Sequence, residues 1–595
     1  MADYKAPLTE MNFVLQELAG MEALSRLPGF EDASPEMVST ILGEVGKLAG
    51  DVISPLNAGG DRAGVAIHGE AEVATPEGFR QAYQQFVDGA WGSLQFDPDF
   101  GGQGLPFTLS VAVQEMWHSA NMSWGLCPLL TQGAVEALSS NASAELKARY
   151  LPPMIEGRWT GTMNLTEPQA GSDMSTLRTR AECKGDHYLI SGQKIFITWG
   201  EHDMTENIVH LVLARLPDAP AGVKGISLFL VPKFLVNEDG SLGERNDCRV
   251  VSLEHKIGIH ASPTCVMSYG DKGGAVGYLV GEQNRGLDCM FSMMNNARLI
   301  VGLQGVAIAE RAYQLARDYA RERPQGIAPG EKSPGMIIKH PDVRRMLMTM
   351  RALTEASRAL TYVTCASMDY REKHPDANSR AQHRARAALL TPVVKGWSTE
   401  IGQEVASLGV QVHGGMGFIE ETGAGQYFRD ARILPIYEGT NGIQALDLVA
   451  RKTLADKGRA MDRLLDEMYD SVTEVRQQDS SLRPAADLVG GAIGALVGAK
   501  ALLLTMSKDD VYLPGAISFN YLMLMGTVCG AWQMLQAAQI AETRLAEGVG
   551  DANFYTAKLV TAHFYIDQIL PRHLGYVAMI EAGSHSTMAL DEALF

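Results

Sequence analysis

A chain of 595 residues is too long for one hydrophobic core, and domains of about 100–200 residues predict three or four units. Hydrophobic residues make up 46% and charged residues 20%, the balance of a soluble globular protein, while a net charge of −18 argues against nucleic acid, whose recognition needs a basic face. The seven cysteines are scattered with no C-x-x-C pair, which favours a reducing compartment and speaks against both a disulfide framework and a structural zinc.

The opening Met1-Ala2-Asp3-Tyr4-Lys5-Ala6-Pro7 has no apolar run of signal-peptide length, so a cytoplasmic location is expected. Apolar residues at three- and four-residue spacing predict helices over Met11–Leu24 and Met37–Leu56, punctuated by Pro28, Pro35 and Pro55. From Gly161 to about Val280 the pattern shifts to short β-rich runs, such as His187–Ile190, Asn207–Leu213 and Ile226–Val231. Gly, Asp and Pro separate them, as in an antiparallel sheet. Long helical patterns return over Met290–Arg323, Pro341–Met368, Ala381–Leu408 and Gln444–Lys452.

Helix, sheet and helix in series predict distinct layers in an α+β multidomain chain. The expected units are an N-terminal helical domain (1–160), a central antiparallel β-domain (161–288), a C-terminal helical bundle (289–458) and an additional helical segment (459–595). The polar stretch Arg476–Arg483 reads as a linker. Leu488–Met506 is apolar apart from Lys500 and spaces Gly490, Gly494 and Gly498 four apart, a stripe that lets helices approach closely. With a lysine inside, 19 residues predict a buried soluble helix with at most peripheral membrane contact.

Four segments carry candidate chemistry. Tyr437-Glu438-Gly439-Thr440-Asn441-Gly442-Ile443-Gln444 places one carboxylate in an uncharged run, six residues after Arg432 and nine before Asp447. Poor solvation there should raise the pKa of Glu438 and increase its basicity. The plainer alternative is a first-turn acid beside a helix capped by Thr440. Upstream lie Met163-Asn164-Leu165-Thr166-Glu167-Pro168-Gln169-Ala170-Gly171-Ser172-Asp173 and Lys194-Ile195-Phe196-Ile197-Thr198, the second by itself an ordinary alternating strand. The cluster Gln411-Val412-His413-Gly414-Gly415-Met416-Gly417-Phe418 follows a helix and lacks a full G-x-G-x-x-G, so it is not a Rossmann fingerprint.

Together and in this order, these motifs resemble the acyl-CoA dehydrogenase family of flavoproteins, over roughly residues 10 to 455. The length and the Tyr4-Lys5-Ala6-Pro7-Leu8 opening are similar to its large bacterial subgroup, which includes 3-methylmercaptopropionyl-CoA and fatty acyl-CoA dehydrogenases. The resemblance implies FAD as cofactor. Thr198 then faces flavin N5, Thr166 and the Met163–Leu165 backbone face the pyrimidine ring, and Phe196 and Ile197 belong to the strand that walls the flavin. Ser172 reaches the FAD phosphates or the pantetheine of the substrate, and Thr440 also belongs to the cofactor set. Gln411 and Gly415 contact the FAD of a neighbouring subunit, which implies a homodimer. The FAD-phosphate arginine is Arg323 or Arg321. Arg298 and Asn295, where relatives carry aspartate, bind CoA together with Gly439.

By the same resemblance, Glu438 is the base that removes the α-proton of an acyl-CoA while the β-hydrogen leaves as hydride to flavin N5, giving trans-2-enoyl-CoA. Electron-transferring flavoprotein is the implied acceptor, and fatty-acid β-oxidation the implied process. The alternatives are 3-methylmercaptopropionyl-CoA dehydrogenation, an acyl-CoA oxidase that uses oxygen, and a flavin-bearing binding protein without turnover.

Overall fold

Local patterning gives three layers in series, and a fourth packs behind them. The computed structural model describes residues 4–595 apart from 70 and 479, with the backbone alone at 291–293. In the first layer, α1 (Phe107–Ala120) is buried along almost its whole length, polar Glu115 and His118 included. Asn121 starts α2 (Met122–Asn141) by accepting a hydrogen bond from the Trp124 N–H at 3.1 Å. A two-stranded hairpin, Ala66–His68 with Glu72–Ala74, precedes these helices and was not expected from the spacing.

Eight strands make the second layer: β1 (Trp159–Asn164), β2 (Arg180–Cys183), β3 (Tyr188–Thr198), β4 (Asn207–Arg215), β5 (Ile226–Pro232), β6 (Cys248–Leu253), β7 (Thr264–Tyr269) and β8 (Ala275–Val280). Their order is β6-β7-β3-β8-β5-β4-β1, and β2 pairs with both β3 and β4, folding the sheet back on itself. Pairing is antiparallel except for the β1–β4 ladder and the single Arg180–Arg215 contact of β2 with β4. Strand β5 is buried throughout and β4 all but its last residue, which explains their uninterrupted apolar character. The run from 188 to 198 is one strand, and its register against β7 shifts between Cys265 and Met267, opposite Ile197 and Lys194.

The bundle follows: α3 (Gly286–Glu322), α4 (Pro341–Lys373), α5 (Ala377–His413), α6 (Ala424–Ala431) and α7 (Asn441–Leu446). Helices α3 and α5 cross through glycines. A Cβ on Gly305 would lie 2.2 Å from the Ser398 carbonyl oxygen, and one on Gly302 would lie 2.6 Å from Val394 Cγ1. That contact brings the middle of α5 against the α3 segment beyond Arg298.

The C-terminal segment adds α8 (Arg459–Gln477), α9 (Arg483–Met506), α10 (Leu513–Glu547) and α11 (Ala552–Phe564). Helix α10 seats Gly526 on Trp397 of α5, where a Cβ would come 2.2 Å from the indole. By length and composition α9 and α10 could each cross a membrane, yet 72% of the most apolar window of α10 is buried inside the protein. Helix α9 is the more open, with 39% of its window covered. Its glycine stripe is only partly used. Gly490 meets Val472 and Arg476, Gly494 meets the Tyr469 hydroxyl, and Gly498 has no neighbour within 4 Å, contrary to the expectation of three close approaches. Lys500 pairs with Asp462 of α8.

The termini interlock. Lys558 of α11 is buried and pairs with Glu10, near the start of the chain, and with Glu355 of α4, while Phe554 meets Phe13 edge-on at 5.5 Å. Beside them Arg358 binds Glu115 of α1 and Glu310 of α3, both at 2.7 Å.

Candidate active site

The T-E-P loop leaves β1 at Asn164 and is held against β3 by the Ile195 N–H, which donates to the Thr166 carbonyl at 3.0 Å. Glu167 locks the loop. Its Oε1 accepts from Lys194 Nζ at 2.9 Å and from the Thr179 N–H and hydroxyl at 3.0 and 2.6 Å, and its Oε2 accepts from the Arg178 N–H at 2.7 Å. Burial pushes the Glu167 carboxyl up, but Lys194 and these donors more than offset it and hold its pKa at about 2. Burial also pulls Lys194 down to about 8 despite the attraction of Glu167.

Above this scaffold, Met163, Leu165 and Thr166 are half-buried, and Gly171, Ser172 and Asp173 are open to solvent. Phe196 has φ +59°, left-handed for a residue with a side chain, and its ring is 58% exposed. A strained backbone that turns an aromatic ring outward is stable only when the surrounding structure imposes it, and such sites gather where ligands bind. Half-buried Thr198 follows two residues on and offers a hydroxyl on the same strand. The residues present fit a planar aromatic cofactor that needs an apolar wall and hydroxyl donors at its polar edge. Ile197 does not join them with its side chain, which is buried in the β-domain core. Only its backbone can face a ligand.

The carboxylate loop lies in the bundle, between α6 and α7. Helix α6 precedes it and is docked on the β-domain, where Asp430 accepts from the Ile259 N–H, and on the N-terminal helical domain, where Arg429 pairs with Asp61. Glu438 itself is left-handed, with φ +56°, and Gly439 follows at +83°. A Cβ at Gly439 would come 2.7 Å from Gln444 Nε2, which donates to the carbonyls of Glu438 and Gly439 at 3.3 Å. Thr440 is the N-cap of α7, its hydroxyl accepting from the Ile443 N–H at 3.3 Å. Both sequence readings of this segment therefore hold at once: a capped helix start, and a carboxylate presented ahead of it. Burial raises the Glu438 pKa, as expected, while Arg298 and Lys395 pull in the opposite direction.

Gln444 also lines a cavity of about 400 Å³ between α3, α4, α5 and the residues after α7. Arg298, Arg371, Arg384, Arg451 and Lys452 reach it, with Asp447 as its one carboxylate. Asn295 lies on its rim and accepts from Arg298 Nη1 at 3.5 Å. In a chain of net charge −18, five cations around one cavity mark a site for a polyanion. Arg323, Gln411 and Gly415 form a separate exposed cluster at the far end of α3, where Tyr319 stacks on His413 at 4.4 Å. At 1.5 Å per residue, about 30 Å of helix separates Tyr319 from Arg298. Met416 and Phe418 beside this cluster are exposed, Phe418 by 91%. Arg321 is exposed there too.

Sequence reasoning missed Lys395, Arg371, Arg384, Arg451 and the Glu167–Lys194 lock. A lysine inside the otherwise apolar run Val393-Val394-Lys395-Gly396-Trp397 was a visible signal for the first. The cavity arginines come from separate helices and carry no local signal.

Comparison with known proteins bears on the fold and the family. Family models match along most of the chain: acyl-CoA dehydrogenase N-terminal domain at residues 65–158, middle domain at 162–271 and C-terminal domain at 284–454, then acetyl-CoA dehydrogenase C-terminal like at 464–591. The 3-methylmercaptopropionyl-CoA dehydrogenase of Ruegeria pomeroyi is 48% identical over 95% of this chain and 96% of its own. The chain belongs to the acyl-CoA dehydrogenase family. The broad-specificity linear acyl-CoA dehydrogenase FadE5 of Mycobacterium tuberculosis is 33% identical over the full length of both chains. The fold matches a Bacillus anthracis acyl-CoA dehydrogenase crystallised with FAD, with a TM-score of 0.74 at 20% identity, covering 94% of this chain and 90% of that one. This acyl-CoA dehydrogenase is an FAD-dependent oxidoreductase.

Proposed function

We propose that the enzyme removes the α- and β-hydrogens of an acyl-CoA thioester with Glu438 as base. The observation that carries this reading is a half-buried carboxylate, held at a left-handed φ and linked through Gln444 to a five-cation cavity. Bound FAD supplies the acceptor for the two electrons that leave with the β-hydrogen. Thr166, Thr198 and the Met163–Leu165 backbone would hold the polar edge of the flavin, and Phe196 would wall its ring. The cavity holds the phosphates of CoA, with Arg298 lining it and Asn295 on its rim, so the thioester is threaded past Gly439. Glu438, raised by burial and more so when substrate excludes water, takes the α-proton.

The 48% identity to the Ruegeria enzyme supports 3-methylmercaptopropionyl-CoA as substrate. Linear fatty acyl-CoAs, and with them a place in β-oxidation, are the second reading, supported by the full-length match to FadE5. We further assign a cytoplasmic homodimer that passes electrons to electron-transferring flavoprotein. The exposed Met416 and Phe418 beside Gln411 and Gly415 support a second copy at that end, and the free thiols of Cys127, Cys183, Cys248, Cys265, Cys365 and Cys529 suit a reducing compartment.

Anaerobic titration of the yellow holoenzyme with 3-methylmercaptopropionyl-CoA, butyryl-CoA and longer thioesters tests the assignment. Bleaching of the flavin band by one of them, abolished in Glu438→Gln with FAD still bound, is the expected result. General-base catalysis is worth about 10²–10⁴-fold, so a Glu438→Gln enzyme keeping more than about a per cent of the rate refutes the assignment.

A further inference from the structure

Lys395 sits halfway along α5 with its side chain wholly enclosed. Its ammonium donates to Asn441 Oδ1 at 2.9 Å, and Asn441 is the first residue of α7, three beyond Glu438. The orientation of that amide is settled by its other side. Asn441 Nδ2 faces the Glu400 carboxylate at 2.8 Å, the Thr399 hydroxyl at 3.0 Å and the Gly396 carbonyl at 3.1 Å, all of α5, which leaves Oδ1 toward the ammonium. The Asn441 N–H is taken by the Pro435 carbonyl at 2.9 Å. The loop that holds Glu438 at a left-handed φ is thus bolted to α5 through one amide and one lysine.

A buried ammonium whose hydrogen-bond partner is a neutral amide is costly unless its charge serves another group. The charged groups facing it are Glu438 from the loop, Arg298 from α3 and Glu400 from its own helix. Glu400 already accepts from Asn441. Arg298 lines the cavity assigned above to the CoA phosphates, which draw its field away from the loop once substrate is bound. Lys395 is then the cation left to Glu438.

We propose that Lys395 is the positioning residue of the base: it clamps the Glu438 loop to α5 through Asn441, and its charge keeps Glu438 a carboxylate in the substrate complex. Lys395 touches neither substrate nor cofactor and exchanges no proton in the reaction. Burial pulls its own pKa down to about 7, with Glu438 holding it up, so its charge is strongest on the acid side, where Glu438 most needs it. The inference rests on Glu438 being the base.

The test is the rate of anaerobic flavin reduction against pH, from about 5.5 to 9, for the parent holoenzyme and for Lys395→Arg, Lys395→Gln and Lys395→Met. The substrate is whichever of 3-methylmercaptopropionyl-CoA and butyryl-CoA bleaches the parent, and FAD content is measured alongside. The Gln and Met substitutions should retain FAD and move the acid limb up by about one pH unit, a roughly tenfold loss on that limb with a much smaller loss at the plateau. Lys395→Arg should return the limb toward the parent's. An unmoved limb in the neutral variants, an Arg variant as impaired as the Gln one, or loss of FAD in both neutral variants would each overturn the proposal. Flavin reduction by Glu438→Gln would overturn the base assignment and this inference with it. A silent Glu438→Gln with an unmoved Lys395→Gln limb would overturn this inference alone.

Discussion

Replacing Glu167 by glutamine tests the claim that the T-E-P loop is held by a buried ion pair. Both partners are enclosed, Lys194 at 0% and Glu167 at 3% side-chain exposure, so solvent screens little of the interaction. An amide has one acceptor oxygen. If it replaces Oε1, it keeps Lys194 and Thr179 but turns an NH2 group toward the Arg178 N–H, leaving a donor that costs about 1–3 kcal/mol. The lost charge leaves the Lys194 ammonium uncompensated, and breaking a buried pair costs about 3–5 kcal/mol in all. We expect that loss in the denaturation of the β-domain, with FAD release as a second readout.

Lys194→Met should cost a similar amount, and the double substitution far less than the sum, a coupling of at least about 2 kcal/mol. The pH dependence gives an independent check. The folded pKa of Glu167, about 2, lies below its ordinary value of 4.5, so its contribution is complete above about 4.5 and fades as pH falls toward 2. That acid component should be missing from Glu167→Gln. Additivity of the two substitutions to within about 0.5 kcal/mol would refute the lock.

Gly305→Ala places a methyl group 2.2 Å from the Ser398 carbonyl oxygen, a backbone atom that cannot swing aside. The α3–α5 crossing should open at a cost of about 1–3 kcal/mol, read as a lower denaturation midpoint together with slower flavin reduction, because Lys395 rides on α5. Arg451→Ala removes one cation from the cavity. The KM for CoA thioesters should rise about tenfold or more, with weaker salt dependence, while kcat and reduction by saturating substrate stay close to the parent's.

Much of this architecture was legible because its signals are local. The change of period from helical to alternating marked the β-layer, and Glu438 stood out as a carboxylate in an uncharged run. Thr440 could be read as an N-cap from its place before the α7 pattern, and it is one. What was hidden depends on contacts between distant segments. Arg371, Arg384 and Arg451 look like three surface arginines until α4, α5 and the stretch after α7 turn them, with Arg298 of α3, into one cavity. Ile197 belongs to a motif whose neighbours face the open side, yet at that register its side chain falls on the core face. The short hairpin at 66–74 has strands of three residues, too few for alternation to register. Gly498 continues a four-residue stripe that drifts round a helix of 3.6 residues per turn, so it faces solvent while Leu496, Ala499 and Leu503 carry the buried face and Lys500 still meets Asp462.

The pairing of Glu10 with Lys558 sets a schedule for making the protein. The two residues are 548 positions apart. At about 5–20 residues per second, a ribosome that has just placed Glu10 needs roughly half a minute to two minutes more to deliver its counterion. Throughout that interval the short helix Leu8–Phe13 has acidic Glu10 and apolar Phe13 prepared for a docking surface that does not yet exist. The docking of this segment therefore waits for α11, although the segment itself is synthesised first. A polypeptide truncated anywhere before α11 would leave both this helix and the Glu355 side of the bundle without their shared cation, and so would present itself to chaperones and proteases as unfinished.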